Sequence, residues 1–246
     1  MKKNKPFFSI IIPTLNEEKY LPKLLDCLKK QIFNSFEVFV VDGTSKDKTK
    51  NIVKKYQKSL KNLKLISSGK NNVSFQRNLG AEKAKGKYLI FIDADVIFNK
   101  KAFSTLYSFI KKSKPDMFIT KFSFSSEKNI YKILAFLTNF LFFIFEKLKR
   151  SLGFGFFLGM KKEVFKHAGG FNPRLVFSEE HNLIKKARKL NYNFFRVKSL
   201  TIATSPRRPE KKGLIRFLFK YLYITIYEQI KGPFYKRPFE YQMGGD

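Results

Sequence analysis

Tyr88-Leu89-Ile90-Phe91-Ile92-Asp93-Ala94-Asp95 is the stretch that decides the fold. Five consecutive apolar residues without alternation suit a strand buried on both faces, and two carboxylates leave its end at i and i+2. Upstream, residues 73–85 read as a helix ended by Gly86. Residues 63–66 form a short strand pattern, and 47–60 a polar-faced helix with Ile52, Val53 and Tyr56 inward. Residues 36–41 and 7–12 are further apolar runs. Between them, residues 18–30 place Tyr20, Leu21, Leu24, Leu25 and Leu28 at helical spacing. Strands alternating with helices predict an α/β fold, a Rossmann-like, mostly parallel sheet flanked by helices.

In such sheets ligands bind beyond the carboxyl ends of the strands. Thr14, Asn16 and Glu17 follow the first strand, Asp42 the second, and Asp93 and Asp95 the fourth. One acid after a strand is often a helix cap, as Asp47 is read here. A cluster at three strand ends predicts a site. Paired carboxylates leaving one strand suit a hard divalent cation such as Mg²⁺.

The second half is less regular. Residues 103–112 read as a helix, 117–124 as a strand, and 129–150 as a strongly apolar stretch, after which Gly153, Gly155 and Gly159 break the pattern. A short helix at 163–168, a Gly169-Gly170-Phe171 turn and a helix at 179–190 follow. Short strands at 193–197 and 201–204 precede an aromatic and basic helix at 214–231.

The chain of 246 residues holds 50 Lys and Arg against 19 Asp and Glu, a net charge of +31, which calls for an anionic partner class. Acids at the strand ends would repel a phosphate backbone, so no specific nucleic acid is expected. Cys27 is the single cysteine, so no internal disulfide can form. The first apolar run stops at Pro13, too short for a signal-peptide core, and predicts a cytoplasmic catalytic domain. Thirty Phe exceed what a core needs, and Trp is absent. Residues 133–145, followed by Glu146-Lys147-Leu148-Lys149-Arg150, fall short of the about 20 that span a bilayer. Residues 214–231 carry Phe217, Phe219, Tyr221, Tyr223 and Tyr227 with Arg216, Lys220 and Lys231. Such helices predict peripheral binding to an anionic membrane surface on its inner face.

The ordered motifs carry a resemblance. Residues 10–18 (IIIPTLNEE), 40–49 (VVDGTSKDKT), 76–81 (QRNLGA), 84–88 (AKGKY) and 91–95 (FIDAD) are similar to segments of family 2 glycosyltransferases, as are 169–172 (GGFN) and 178–183 (SEEHNL). The resemblance spans roughly residues 7–208. It implies an A-type glycosyltransferase fold and inverting transfer of a sugar from a nucleotide-diphosphate donor to a lipid-linked or glycan acceptor. It also implies a donor site of Pro13, Thr14, Glu17, Asp42, Arg77, Asp93, Ala94 and Asp95, with Asp93 and Asp95 toward Mg²⁺ or Mn²⁺. Arg77 would lie near the diphosphate. The base of the family is the second acid of a pair after the Gly-Gly-Phe turn. Here that residue is Glu180, one methylene longer than the usual Asp, and Asn182 stands where an acid is common. A donor-binding chain that does not transfer is the alternative these departures leave. His181 is read as touching the metal or diphosphate, or as a structural hydrogen-bonding residue. The motif that marks processive synthases, Gln-x-x-Arg-Trp, is missing, which predicts a single transfer per encounter. The expected division is a catalytic domain at 1–208, with a nucleotide-binding half at 7–98 and an acceptor half at 99–208, then a membrane-interface helix and tail at 209–246.

Overall fold

The computed structural model describes residues 5–147 and 156–236. The expectations for Arg150, Gly153 and Gly155, and for the Tyr221 side chain, lie outside the described residues. The first half alternates as its apolar pattern requires: β1 Phe8–Thr14, α1 Leu21–Lys29, β2 Phe36–Asp42, α2 Thr49–Gln57, β3 Leu63–Ser67, α3 Val73–Lys83 and β4 Tyr88–Ile92. The second half gives β5 Val96–Ile97, α4 Ala102–Ser113, β6 Met117–Phe124, α5 Asn129–Lys147, β7 Phe157–Lys161 and α6 Lys162–His167. It closes with α7 Glu179–Lys189, β8 Phe194–Thr204, α8 Arg207–Lys212 and α9 Leu214–Lys231.

The eight strands of the described residues form one sheet in the order β3-β2-β1-β4-β7-β6-β8-β5. The β1–β2, β2–β3, β1–β4 and β6–β8 pairs are parallel, while β7 runs antiparallel between β4 and β6. The sheet has a hydrophobic core on each face. Ile10, Ile12, Ile90 and Ile92 pack on one side, and Ile11, Leu89 and Phe91 on the other. Every residue of β1, β2 and β4 is buried, which is why their sequences are continuous apolar runs.

Three features depart from the sequence reading. The Gly-broken region contains β7, because Gly159 is no breaker there: a Cβ on it would meet the Phe118 ring at 2.2 Å, so only Gly lets β6 and β7 lie together. The two short strands near 200 are one strand, β8, whose register against β6 jumps from Thr120↔Val197 to Lys121↔Thr201. The helix expected to be too short to span is longer than its apolar core, since α5 covers 19 residues and is long and apolar enough to cross a membrane. It is, however, docked on the sheet. Asn139 Nδ2 donates to the Phe122 carbonyl at 2.8 Å, and the Phe122 N–H donates back to Asn139 Oδ1 at 3.0 Å.

Candidate active site

The carboxyl ends of β1, β2 and β4 adjoin one another, because those strands are parallel neighbours, and the acids that follow them meet there. Asp42 ends β2. Its Oδ2 accepts from the Thr44 and Ser45 N–H groups at 3.1 and 3.0 Å, and Lys50 Nζ lies 3.5 Å from it. Among the described residues its buried Oδ1 has no hydrogen-bond partner, and neither has Thr14 Oγ1. Thr44 is held at φ +77° and Asn16 at φ +53°. A β-branched residue rarely adopts a positive φ, and such local strain concentrates at functional sites. Gln76 of α3 ties the two strand ends together by donating to the Thr14 and Val41 carbonyls at 2.9 and 2.6 Å.

Arg77, the next residue of α3, is 1% exposed. Its guanidinium donates to Asp93 at 2.9 Å and to Glu179 at 3.0 Å, and it makes a short contact with Glu180. It also lies over the Phe171 ring, 5.3 Å from the centroid. Asn78 completes the run, accepting from the Phe171 N–H at 3.0 Å and donating to the Phe171 carbonyl at 2.8 Å. Three consecutive α3 residues thus fasten the strand ends, the acids and the Gly-Gly-Phe turn. Gly80 lets α3 approach so closely, because a Cβ there would stand 2.6 Å from Ile11 Cγ2.

A second arginine closes the other side. Arg207, at the start of α8, makes a bidentate pair with Glu17 at 2.8 and 2.8 Å, and its Nε lies 3.2 Å from Asp95. Its guanidinium stacks over Tyr20 at 4.5 Å. Thr204 Oγ1 also donates to Asp95, at 3.1 Å. Burial raises the Glu17 carboxyl above its ordinary value against the pull of Arg207. Burial likewise raises Asp93, with Arg77 opposing and Asp95 adding to the rise. Glu179 is raised well above the carboxylate range by burial and then by Glu180, again with Arg77 opposing. One guanidinium faces three carboxylates, so a raised carboxyl is the expected response.

Asp93 and Asp95 offer the oxygen ligands a hard cation takes. Among the described residues, no group of three His, Cys, Asp or Glu is placed to hold a metal ion by itself. In the structure each of the two is paired with an arginine, Asp93 with Arg77 and Asp95 with Arg207. Ala94 between them is buried in the core. Pro13 pairs with Val41 in the parallel β1–β2 register, one residue short of the strand ends.

Sequence reasoning assigned no role to Gln76, Asn78 or Thr204. The adjacency Gln76-Arg77-Asn78 was the available signal, since three long polar side chains in a row must project on three sides of a helix. Asp47 serves the start of α2, where Oδ1 accepts from the Thr49 N–H at 2.9 Å. His181 contacts the acid of another helix, with Nδ1 3.0 Å from Glu228.

A largely parallel sheet with acids gathered at its strand ends and an antiparallel strand beside β4 has the architecture of an A-type glycosyltransferase. The chain belongs to glycosyl transferase family 2, whose family model matches residues 9–169. TarS of Staphylococcus aureus, a poly(ribitol-phosphate) beta-N-acetylglucosaminyltransferase, is 38% identical over 118 residues, 46% of this chain and 20% of that protein. Dolichyl N-acetyl-alpha-D-glucosaminyl phosphate 3-beta-D-2,3-diacetamido-2,3-dideoxy-beta-D-glucuronosyltransferase of Methanococcus voltae is 33% identical over 141 residues, 52% of this chain and 44% of that protein. The crystal structure of S. aureus TarS 1-349 in complex with UDP-GlcNAc superposes with a TM-score of 0.59 and 25% identity, covering 77% of this chain and 58% of that one. A mannosyltransferase from Pyrobaculum calidifontis in complex with GDP-Man and Mn²⁺ shares the fold, with a TM-score of 0.64 and 17% identity over 82% of this chain and 58% of that one. The matched part of the chain spans less than half the length of these curated relatives, 20% of the first and 44% of the second.

Proposed function

We propose that this chain is an inverting glycosyltransferase that takes a sugar from a nucleoside-diphosphate donor and passes it to a glycan or lipid-linked hydroxyl, one sugar per encounter. The observation that carries the reading is Asp42. Its Oδ2 accepts from two backbone N–H groups, while its buried Oδ1 has no donor among the described residues. A buried acceptor without a donor is costly, and a nucleotide base N–H is the partner that would complete it. Pro13, Thr14 and Glu17 would line the base and ribose pocket. Asp93 and Asp95 would hold a divalent cation against the diphosphate, and when bound it would neutralise charge on the leaving group. Glu180 would take the proton of the acceptor hydroxyl as its oxygen attacks the anomeric carbon from the side opposite the diphosphate. Arg77, with three carboxylates around it, serves as their clamp in this reading more than as a diphosphate ligand.

Calorimetry with UDP in the presence of Mg²⁺ or Mn²⁺ tests the donor site. Asp42→Ala should weaken binding by about tenfold or more, the scale of a lost charge-assisted hydrogen bond. Asp95→Ala should leave an affinity that no longer responds to metal. Wild-type affinity and metal response in both variants would remove the assignment.

The finer reading of location is a peripheral protein on an anionic membrane. α5 exposes Ile133, Phe136, Leu137, Phe140 and Leu141, and α9 exposes Ile215, Leu218, Phe219 and Ile230. A net charge of +31 complements anionic lipid, and the docking of α5 on β6 favours lying in the interface over spanning. Phe142 is excepted from the lipid-facing set, because it packs in the core with Leu158 and Met160. Phe136→Ser, Phe140→Ser and Phe143→Ser together should cut binding to phosphatidylglycerol vesicles by about tenfold or more, since each removes apolar area worth about 1 kcal/mol or more. Concentrated salt should release only part of the wild-type protein. Undiminished sedimentation of the folded triple variant with vesicles would overturn this placement.

A further inference from the structure

We propose that α9 is a working part of the transfer site, with Glu228 acting as a positioning residue that sets Glu180 through His181. Glu228 is the one acidic residue among 214–231. It is 8% exposed, as is His181, and the two meet at 3.0 Å. A buried carboxylate is costly without a partner, so this pair fixes how α9 is rotated against α7. His181 directly follows Glu180 in the first turn of α7. Ser178, just before that turn, stands at φ +55°, so the chain enters α7 through a bend that side chains rarely adopt.

The approach to that bend is held by the same C-terminal segment. The Val176 N–H donates to the Phe234 carbonyl at 3.0 Å. Phe177 packs with Ile224 and Phe234 in a small separate core, and the Tyr227 and Phe234 rings stack at 4.2 Å. Ile224, Tyr227 and Glu228 fall at i, i+3 and i+4, one face of α9. The first turn of α7 is therefore gripped from two sides. Arg77 of α3 holds the carboxyl group of Glu180, while the C-terminal segment holds its flanks, through His181 on Glu228, Phe177 on Ile224 and Phe234, and the Val176 N–H on Phe234. The other face of α9 carries the exposed apolar residues, so what seats that face also acts on the geometry of Glu180. This inference rests on Glu180 being the base, and the experiment separates the two claims.

The 246-residue chain is compared as wild type, Glu228→Ala, Glu228→Gln and Glu180→Gln. Three measurements are made: hydrogen exchange of amides 178–184, UDP affinity by calorimetry, and steady-state release of nucleoside diphosphate. The release assay uses whichever of UDP-N-acetylglucosamine, UDP-glucose and GDP-mannose turns over fastest. Glu228→Ala should quicken exchange at 178–184 by about tenfold while β1 and β4 stay protected. It should lower kcat by about tenfold with KM for the donor and UDP affinity unchanged. Glu228→Gln keeps an acceptor for His181 and should stay within about threefold of wild type. Wild-type exchange and kcat in Glu228→Ala would overturn the proposal. So would faster exchange across β1 and β4 as well, which would assign the pair to stability alone. Wild-type turnover in Glu180→Gln would instead remove the base, and local exchange at 178–184 would still decide the coupling.

Discussion

Arg77→Met should lower the stability of the protein by about 3–5 kcal/mol, the scale of leaving buried charges without their partner. For a chain of this size that corresponds to a fall in Tm of roughly 10 °C. The side chain is of similar length and apolar, so the loss reports charge more than volume. Asp93, Glu179 and Glu180 would then face one another with no cation between them. Asp93 and Glu179, already raised by burial, would lose the opposing pull of Arg77 and resist ionisation further, placing their folded pKa above the unfolded one. The folded variant would then hold more protons than the unfolded chain at neutral pH, so its stability should fall as pH rises past the ordinary carboxylate range. The deficit against wild type should shrink on acidification, once the carboxyls are protonated in both states. Arg77→Lys retains a charge, but a single ammonium cannot span three carboxylates, so only part of the stability should return. Urea unfolding of Arg77→Met at pH 5 and pH 8 measures this. A wild-type midpoint at pH 8 would show that the cluster is not held by its guanidinium.

Glu180→Gln should reduce sugar transfer by about 10²-fold or more, because the amide keeps the shape and cannot accept the proton. UDP affinity should be unchanged, since Glu180 sits on α7 and the donor residues at the ends of β1, β2 and β4. Stability should not fall. Arg77 faces three carboxylates, and the variant removes one surplus negative charge while leaving Asp93 and Glu179 in place. An inactive variant of unchanged Tm would therefore be a chemical loss and not an unfolded one. Glu180→Asp tests reach: the shorter carboxylate should retain measurable turnover if the geometry tolerates one methylene less. Undiminished nucleoside-diphosphate release by Glu180→Gln would assign the proton to another group.

β1, β2 and β4 were legible because burial on both faces leaves a continuous apolar signature. α3 was legible as a helix but stops at Lys83, before the expected Gly86, which instead packs against β1, where a Cβ would stand 2.6 Å from Ser9 Oγ. The acids were legible for a related reason, since only position after a strand was needed to bring Asp42, Asp93 and Asp95 to one edge. The partners of those acids were not. That Arg77 meets Glu180 across 103 positions, or that Arg207 meets Glu17 across 190, depends on how the two halves close, and no local pattern encodes it. β7 was hidden for another reason. Glycine usually marks a break, and Gly159 is instead required by an aromatic ring on the neighbouring strand. Glu228 was overlooked because a lone acid in a basic helix looks like surface decoration until its burial is known.

The place of β7 in the sheet also governs the sequence in which the protein can be assembled as it is made. β1 to β4 are mutual neighbours, so a four-stranded sheet is complete once residue 92 has emerged. β6 is different. Its neighbours are β7 and β8, both made later, and its link to the β1–β4 sheet runs through β7. During synthesis of residues 125–156 the nascent chain therefore carries the apolar strand Met117–Phe124 with both edges unpaired, the kind of segment that invites association with other chains. Among the described elements, α5, which bonds to Phe122 through Asn139, is the one made in that interval that can cover it.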